Sequence, residues 1–228
     1  MRQWNRSFGI AICIFSLGCS AIAMGQAYDP DVIELDGSFA LDYPPDPQLV
    51  LANGGTIEFW VAPDWQEDPG YDPVIIANAG PQGPAYLIAM LRDRDGLAFA
   101  AGEEEAVFLF DFTDEQLHHV AVSQLDDGIV VLIDGRFAGD SDIQALDLPS
   151  AGFWVGSIDG ENNQFRGVLA GLRVWSEAID RDTLVQYALQ DVVAGDHPRL
   201  PSLAAMSDFT NGELLVVEAT ADTDFPTE

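Results

Sequence analysis

Lysine is absent from all 228 residues, and the nine basic side chains, every one an arginine, stand against 38 acidic ones. A surface of that sign repels nucleic acid and anionic lipid, which excludes both as partners. Cysteine is almost absent as well. Cys13 and Cys19 are the only two, and both lie within the first twenty residues. Beyond them the chain has no thiolate nucleophile, no disulfide and no cysteine-zinc site, so it must rely on its core. Histidine is limited to His118, His119 and His197. Several catalytic signatures are also missing. There is no His-Glu-x-x-His and no phosphate loop, and "GSIDG" (156–160) puts Ile158 where a nucleophile elbow needs serine.

What is present begins with a leader-like segment. Arg2 and Arg6 precede an uncharged stretch from Ser7 to Gly25, with small residues at Ala21, Ala23, Gly25 and Ala27. That order is the layout of a secretory signal peptide, with cleavage expected between Ala23 and Tyr28. The 19 uncharged residues are also close to the roughly 20 that span a bilayer, so an uncleaved anchor is the alternative. A lipoprotein-type cleavage at Gly18-Cys19 is a third reading, for which Leu17 sits one place too close to Cys19. Each places the remainder beyond the membrane, because the arginines stay on the cytoplasmic side. Residues 1–27 are therefore assigned to the signal, 28–191 to a globular domain and 192–228 to an extension with a final strand and a frayed tail. The expected location is secreted, periplasmic or at the cell surface. The high acidity reads as adaptation to salt, which screens the mutual repulsion, or alternatively as calcium binding.

The globular region alternates hydrophobic runs of four to eight residues with turn-rich punctuation. "DVIELDG" (31–37), "GGTIEFWVAP" (54–63), "DPVIIANAG" (72–80), "AYLIAML" (85–91), "GLAFAAG" (96–102), "AVFLFDF" (106–112), "HHVAVSQL" (118–125), "GIVVLIDG" (128–135), "GFWVGSIDG" (152–160) and "VLAGLRVW" (168–175) read as strands. Asp-Gly, Asn-Gly and Pro-Gly pairs between them mark turns. Such spacing predicts an all-β antiparallel sandwich or barrel. About 200 residues suffice to bury roughly 70% of the surface that the unfolded chain exposes. One helix is predicted over 178–191, with Asp180 as N-cap and Leu184, Tyr187 and Ala188 on one face. A last strand is expected over 213–219.

The adjacent histidines invite a metal or catalytic reading, and strand geometry excludes a metal ion shared between them. Neighbouring residues of a strand point to opposite faces, so His118 joins Val120 and Val122 while His119 joins Ala121 and Ser123. They cannot share an ion. The expected role is structural, in a hairpin turned at "DDG" (126–128) with a second turn at Asp134-Gly135. One ring is expected to bond a neighbouring loop.

Four segments in order carry a family resemblance: "GGTIEFWVAP", "LHHVAVSQLDDGIVVLIDGRFAGD", "GFWVGSIDG" and "VLAGLRVWSEAIDRDTLVQYAL". Over about Val32 to Leu189 the chain resembles the LamG-like (laminin-G-type-3) domains, concanavalin A-like jelly rolls. The resemblance implies a sandwich of two curved antiparallel sheets with one short C-terminal helix. It also implies kinship with glucanases, whose E-x-D-x-E strand aligns carboxylates on one face. That pattern is absent here, since "EEE" (103–105) lacks the spacing, and the chain is expected to be no enzyme. Relatives often carry calcium, with an acid just before the closing strand, but this chain has Ala170 and Gly171 there.

Function is thus expected to be binding, of carbohydrate or of an extracytoplasmic protein. The alternatives are an anchored accessory subunit and, less favoured, a divergent glycan hydrolase. Trp65, Tyr71 and Trp154 lie near turns, where an aromatic face would meet a sugar, with Arg136 among the scarce cations beside them. Arg92, Arg94 and Arg166 are the other cations noted, as ion-pair anchors or holders of an acidic sugar. Trp60 and Trp175 are assigned to the core, and so is the stripe of Phe108, Phe110 and Phe112. Calcium is the one cofactor considered, in the loops 93–96, 134–142 and 159–163. Asp159, Glu161 and Asn163 form the favoured ligand set.

Overall fold

A computed structural model describes residues 32–149, 152–190, 192, 197–207, 209 and 212–216. The signal segment and the tail from residue 217 lie outside the described residues. The strands form two antiparallel sheets. The larger runs, in spatial order, β10 (Arg136–Ser141), β9 (Gly128–Ile133), β8 (His118–Leu125), β3 (Gly55–Pro63), β12 (Arg166–Trp175), β13 (Leu203–Ser207) and β14 (Leu215–Val216). A further strand, β1 (Val32–Asp36), pairs with the first half of β12, beside β13. The smaller sheet runs β2 (Leu41–Tyr43), β11 (Gly152–Val155), β4 (Val74–Gly80), β5 (Gly83–Met90), β6 (Gly96–Ala101) and β7 (Glu104–Leu109). This is the expected all-β sandwich.

Period-two patterning explains the main core. Ile57, Phe59 and Val61 of β3, Val120 and Val122 of β8, and Ile129, Val131 and Ile133 of β9 point inward. They meet Tyr86, Ile88 and Met90 of β5, Phe99 of β6, and Phe153 and Val155 of β11. Each such side chain contributes about 1.5–3 kcal/mol by leaving water. The phenylalanine stripe behaves as expected: Phe108 and Phe112 are buried and Phe110 packs against the core. Val107 and Leu109, on the opposite face, are exposed.

The hairpins follow their turn residues. At Asp134-Gly135 both backbones have positive φ, +50° and +68°, the geometry of a two-residue turn that suits twisted strands. The "DDG" turn is shifted by one from a plain Asp-Gly turn. Leu125 pairs with Gly128, so Asp126 and Asp127 occupy the tip.

A second apolar layer covers the outer face of the larger sheet. Ala121, Leu132, Trp175 and Leu203 pack there under Ile179, Leu184 and Val192. Trp175 is therefore buried, but beneath the C-terminal segment and not between the sheets. Trp60 is a correction to the core assignment. It is only half-buried on that same outer face, its ring 5.1 Å from that of His119. A bulge sets this arrangement: the pairing of β12 with β3 shifts between Ala170 and Arg173, around Gly171 at φ +55°. Leu172 thereby stays inside while Arg173 and Trp175 turn outward.

The helix, α1 (Arg181–Tyr187), begins as expected, with Asp180 accepting from the Thr183 amide. It ends four residues early. Its terminal carbonyls are taken by the sheet beneath: Arg173 donates to Tyr187 O at 3.1 Å and to Gln190 O at 2.6 Å, and Trp60 donates to Ala188 O at 3.5 Å. A cation at the carbonyl end suits the helix dipole. Among the described residues no helix is long and apolar enough to cross a membrane.

Candidate functional site

One end of the sandwich gathers the ends of β1, β3 and β9 with the starts of β4, β8 and β12. A cavity of about 150 Å3 opens there. Its walls come from three distant segments: Asp36 and Gly37 after β1, residues 64–73 between β3 and β4, and Gln164 and Arg166 at the start of β12. Pairing of Asp36 with Arg166 and of Pro63 with Gly167 draws the three together.

The 64–73 loop is stapled at both ends. Asp64 N donates to Arg166 O at 2.9 Å, and Val74 N donates to Asn163 O at 2.8 Å. Asn163 returns a side-chain bond to Asp72 O at 3.0 Å. Within the loop, Asp64 accepts from Gln66 N and Asp68 from Gly70 N, the local turns that aspartate favours. Trp65 roots it. That side chain is 5% exposed, donates to Phe112 O at 3.1 Å and lies under the Arg94 guanidinium at 5.2 Å.

The rim is acidic. Asp36, Asp64, Glu67 and Asp68 face a single cation, Arg166, whose Nε donates to Asp64 at 2.8 Å and whose Nη1 lies 4.0 Å from Glu67. Hydrogen bonds from Ser38 hold the Asp36 carboxyl below its ordinary pKa. Tyr71, 37% exposed, presents the aromatic surface and donates its hydroxyl to Gln164 O at 3.2 Å. Pro69 and Pro73 complete the apolar wall.

Of the expected ligand residues, the structure brings Trp65 and Tyr71 to this cavity. Trp65 serves as its buried root and Tyr71 as its open face. Trp154 lies elsewhere, half-buried on the outer face of the smaller sheet beside Val74, Ala77, Ala89 and Ala98. It is linked to the cavity only through the loop that follows. A Cβ at Gly160 would come 2.9 Å from its ring, and Gly160 O accepts from Gln164. Arg136 is exposed on β10, four strands from β12. At about 4.8 Å per strand that is roughly 19 Å from the cavity.

The favoured calcium loop is closed upon itself. Asp159 accepts from the amides of Glu161 and Asn162 and from the Asn162 side chain. Desolvation raises the pKa of its carboxyl, but these bonds outweigh it and hold the group below the ordinary value. Asn163 points to Asp72 instead of to Asp159. No three His, Cys, Asp or Glu side chains among the described residues converge to hold a metal ion.

The histidines stand on opposite faces of β8, and one ring, that of His118, bonds neighbouring loops as expected, while His119 bonds a strand residue. His118 lies between Asp134 at 2.8 Å and Asp114 at 3.0 Å, and His119 meets Glu58 at 2.8 Å. Of the other cations, Arg92 donates to Gly70 O, and Arg94 to Trp65 O. The sequence reading did not single out Asp36, Asp64, Glu67, Asp68 or Gln164. In a chain with 38 acids no single carboxylate stands out. The available signal was the density of acid and aromatic residues in "DWQEDPGYDP" (64–73).

Comparison with solved structures places the fold. A candidate carbohydrate binding protein from Bacteroides ovatus matches at TM-score 0.56 and 19% identity, over 76% of this chain and 50% of that one. A heptameric SAP-like pentraxin from Limulus polyphemus matches at 0.54 and 15%, over 82% of this chain and 92% of that one. The CBM40 of a Ruminococcus gnavus sialidase, bound to α2,3 sialyllactose, matches at 0.52 and 11%, over 68% and 95%. This chain thus spans half the length of the first. At such identities the likeness establishes architecture alone. No curated protein sequence matches the chain. The Laminin_G_3 profile, of the concanavalin A-like lectin/glucanases superfamily, covers residues 36–184, well over half of the chain, and the chain belongs to that family.

Proposed function

We propose that this is an exported, non-catalytic module that binds carbohydrate through the cavity between Asp36, the 64–73 loop and Arg166. The observation that carries this reading is the juxtaposition of an exposed aromatic face, Tyr71, with carboxylates that have free acceptor positions, on a loop stapled to a rigid sheet. Sugars present apolar ring faces and many hydroxyl donors, and that pairing suits both. The small volume fits one sugar unit with the rest of the ligand in solvent, since pockets for drug-sized molecules run to about 300–1,000 Å3. Fold neighbours that include a sialyllactose-bound module lend support.

A non-catalytic role is supported by the fate of Glu58. It is a carboxylate on a sheet face among tryptophans, but it is 2% exposed and holds bonds from His119, Arg173 and Trp175. It cannot reach a substrate. Export is supported by the order of charge and apolar residues over 1–27.

Glycan-array binding by the full chain, beside Tyr71→Ala, tests the proposal. Glycan binding that falls at least tenfold in Tyr71→Ala at unchanged Tm supports it. Glycan binding that ignores Tyr71 moves the site elsewhere, and no binding by a folded chain refutes the carbohydrate role.

A further inference from the structure

Resting on the carbohydrate reading, we propose that the cavity selects a cationic sugar, a hexosamine unit with a free amine, and rejects acidic sugars. The argument is a count of donors and acceptors at the rim. The neutral side-chain donors of the lining are turned toward the protein itself. Tyr71 Oη donates to Gln164 O, Gln164 Nε2 to Gly160 O, and Trp65 Nε1 to Phe112 O. Arg166, the one cation in the lining, donates Nε to Asp64 and lies 4.0 Å from Glu67, while Arg92 and Arg94 donate to the backbone of the same loop at Gly70 O and Trp65 O. Acceptors, by contrast, remain open. Asp36 uses only Oδ1, toward Ser38, and Asp68 uses only Oδ1, toward Gly70 N. Their second oxygens and both oxygens of Glu67 accept no hydrogen bond from another described residue.

A ligand entering here must therefore supply donors, and positive charge gains most from them. Four lining carboxylates stand against one lining guanidinium, and adding Arg92 and Arg94, which bond the same loop, still leaves the acids in excess, so the local field is negative. Hydrogen bonds from an ammonium to a carboxylate are roughly twice as strong as neutral ones. A uronic or sialic carboxylate would meet the opposite sign over most of the rim. Tyr71 adds a ring face over which a cation is attracted. An N-acetylated amine loses both the charge and two of its donors, so acetylation should be read as rejection.

The test uses four soluble trisaccharides with the full chain in titration calorimetry at one fixed ionic strength: a glucosamine trimer, its N-acetylated form, a glucose trimer and a galacturonate trimer. Because the whole chain is acidic, two double variants accompany it. Glu67→Gln with Asp68→Asn removes two rim charges and keeps an acceptor for Gly70 N. Glu103→Gln with Glu104→Gln removes two exposed charges at β7, away from the cavity.

The expected result is that the amine trimer binds at least tenfold tighter than the other three. Only the rim variant should abolish that preference. Equal or tighter binding of the N-acetylated or glucose trimer leaves the carbohydrate role standing and overturns selection by charge. Tightest binding of the uronate overturns it too. A preference that survives the rim variant, or falls equally in both variants, assigns it to the general field of the chain and refutes a selective cavity. No binding of any trimer refutes both readings.

Discussion

Glu58 Oε2 lies 2.8 Å from His119 Nε2, on neighbouring strands β3 and β8, with both side chains buried. The other oxygen accepts from Arg173 at 3.3 Å and from Trp175 Nε1 at 3.0 Å. One carboxylate thus ties β3, β8 and β12 on the face that α1 covers. Desolvation would raise its pKa, but His119 and Arg173 outweigh that and keep it below the ordinary range. Removing one partner of a buried pair strands the others, at a cost of about 3–5 kcal/mol. Glu58→Ala is expected to lose that much in denaturant unfolding. A loss under 1 kcal/mol would mean that the network adds little.

His118 makes a pH-dependent clamp. Its two ring nitrogens face Asp134 and Asp114, and Phe110 and Phe112 pack on its edges. Desolvation lowers its pKa, but the two carboxylates outweigh that and raise it above 6.5. Asp114 and Asp134 are lowered below 3.8, because the bonds from His118 and from backbone amides outweigh desolvation. A raised histidine stabilises fully below its unfolded value and loses that contribution as pH rises through the folded one. The lowered aspartates stabilise above their unfolded value and lose it in acid. The stability difference between wild type and His118→Gln should therefore be largest between about pH 4 and 6.5 and shrink at alkaline pH. His197, lowered by desolvation, titrates in the opposite sense. The difference measurement removes it. A gap that does not change with pH would rule out the clamp.

Trp65 and Tyr71 share one loop but should separate cleanly on mutation. Trp65→Ala empties a buried site and is expected to destabilise by about 3–5 kcal/mol. Tyr71→Ala, at an exposed position, should cost under about 1 kcal/mol while abolishing ligand binding. Thermal unfolding and glycan binding, measured on the same samples, would show whether Tyr71 is instead structural.

Salt should stabilise the fold. With 38 acids against nine arginines, repulsion opposes compaction, and the Debye length shrinks from about 10 Å at 0.1 M to about 3 Å at 1 M. Tm is expected to rise steadily over that range of sodium chloride. A flat or falling Tm would remove the habitat reading of the acidity.

The two faces of β7 and β8 were legible because alternation along a strand is a property of the local backbone, whereas Trp60 of β3 was assigned to the core and lies on the outer face. Three elements were harder to see. β10, "RFAGDS", is an edge strand, which needs backbone partners on one side only and demands little of its side chains. β2 has just three residues. β13 precedes the last strand expected from the sequence, that over 213–219. The helix end was set by Arg173 and Trp60, which reach it from the sheet beneath, beyond anything its own residues encode.

By itself the sequence determined the fold class, the turn at Asp134-Gly135, the separation of His118 from His119 and the charge of the surface, because each depends on residues a few positions apart. Only the tertiary structure decided that Asp36, Asp64 and Arg166 share a cavity, although Asp64 and Arg166 are 102 positions apart. It also decided that Trp65 is an anchor while Tyr71 is open, and that Arg136 stands across the sheet. Local periodicity determines which face a side chain takes. Strand order determines which distant loops meet, and that order follows from pairings that no short stretch of sequence contains.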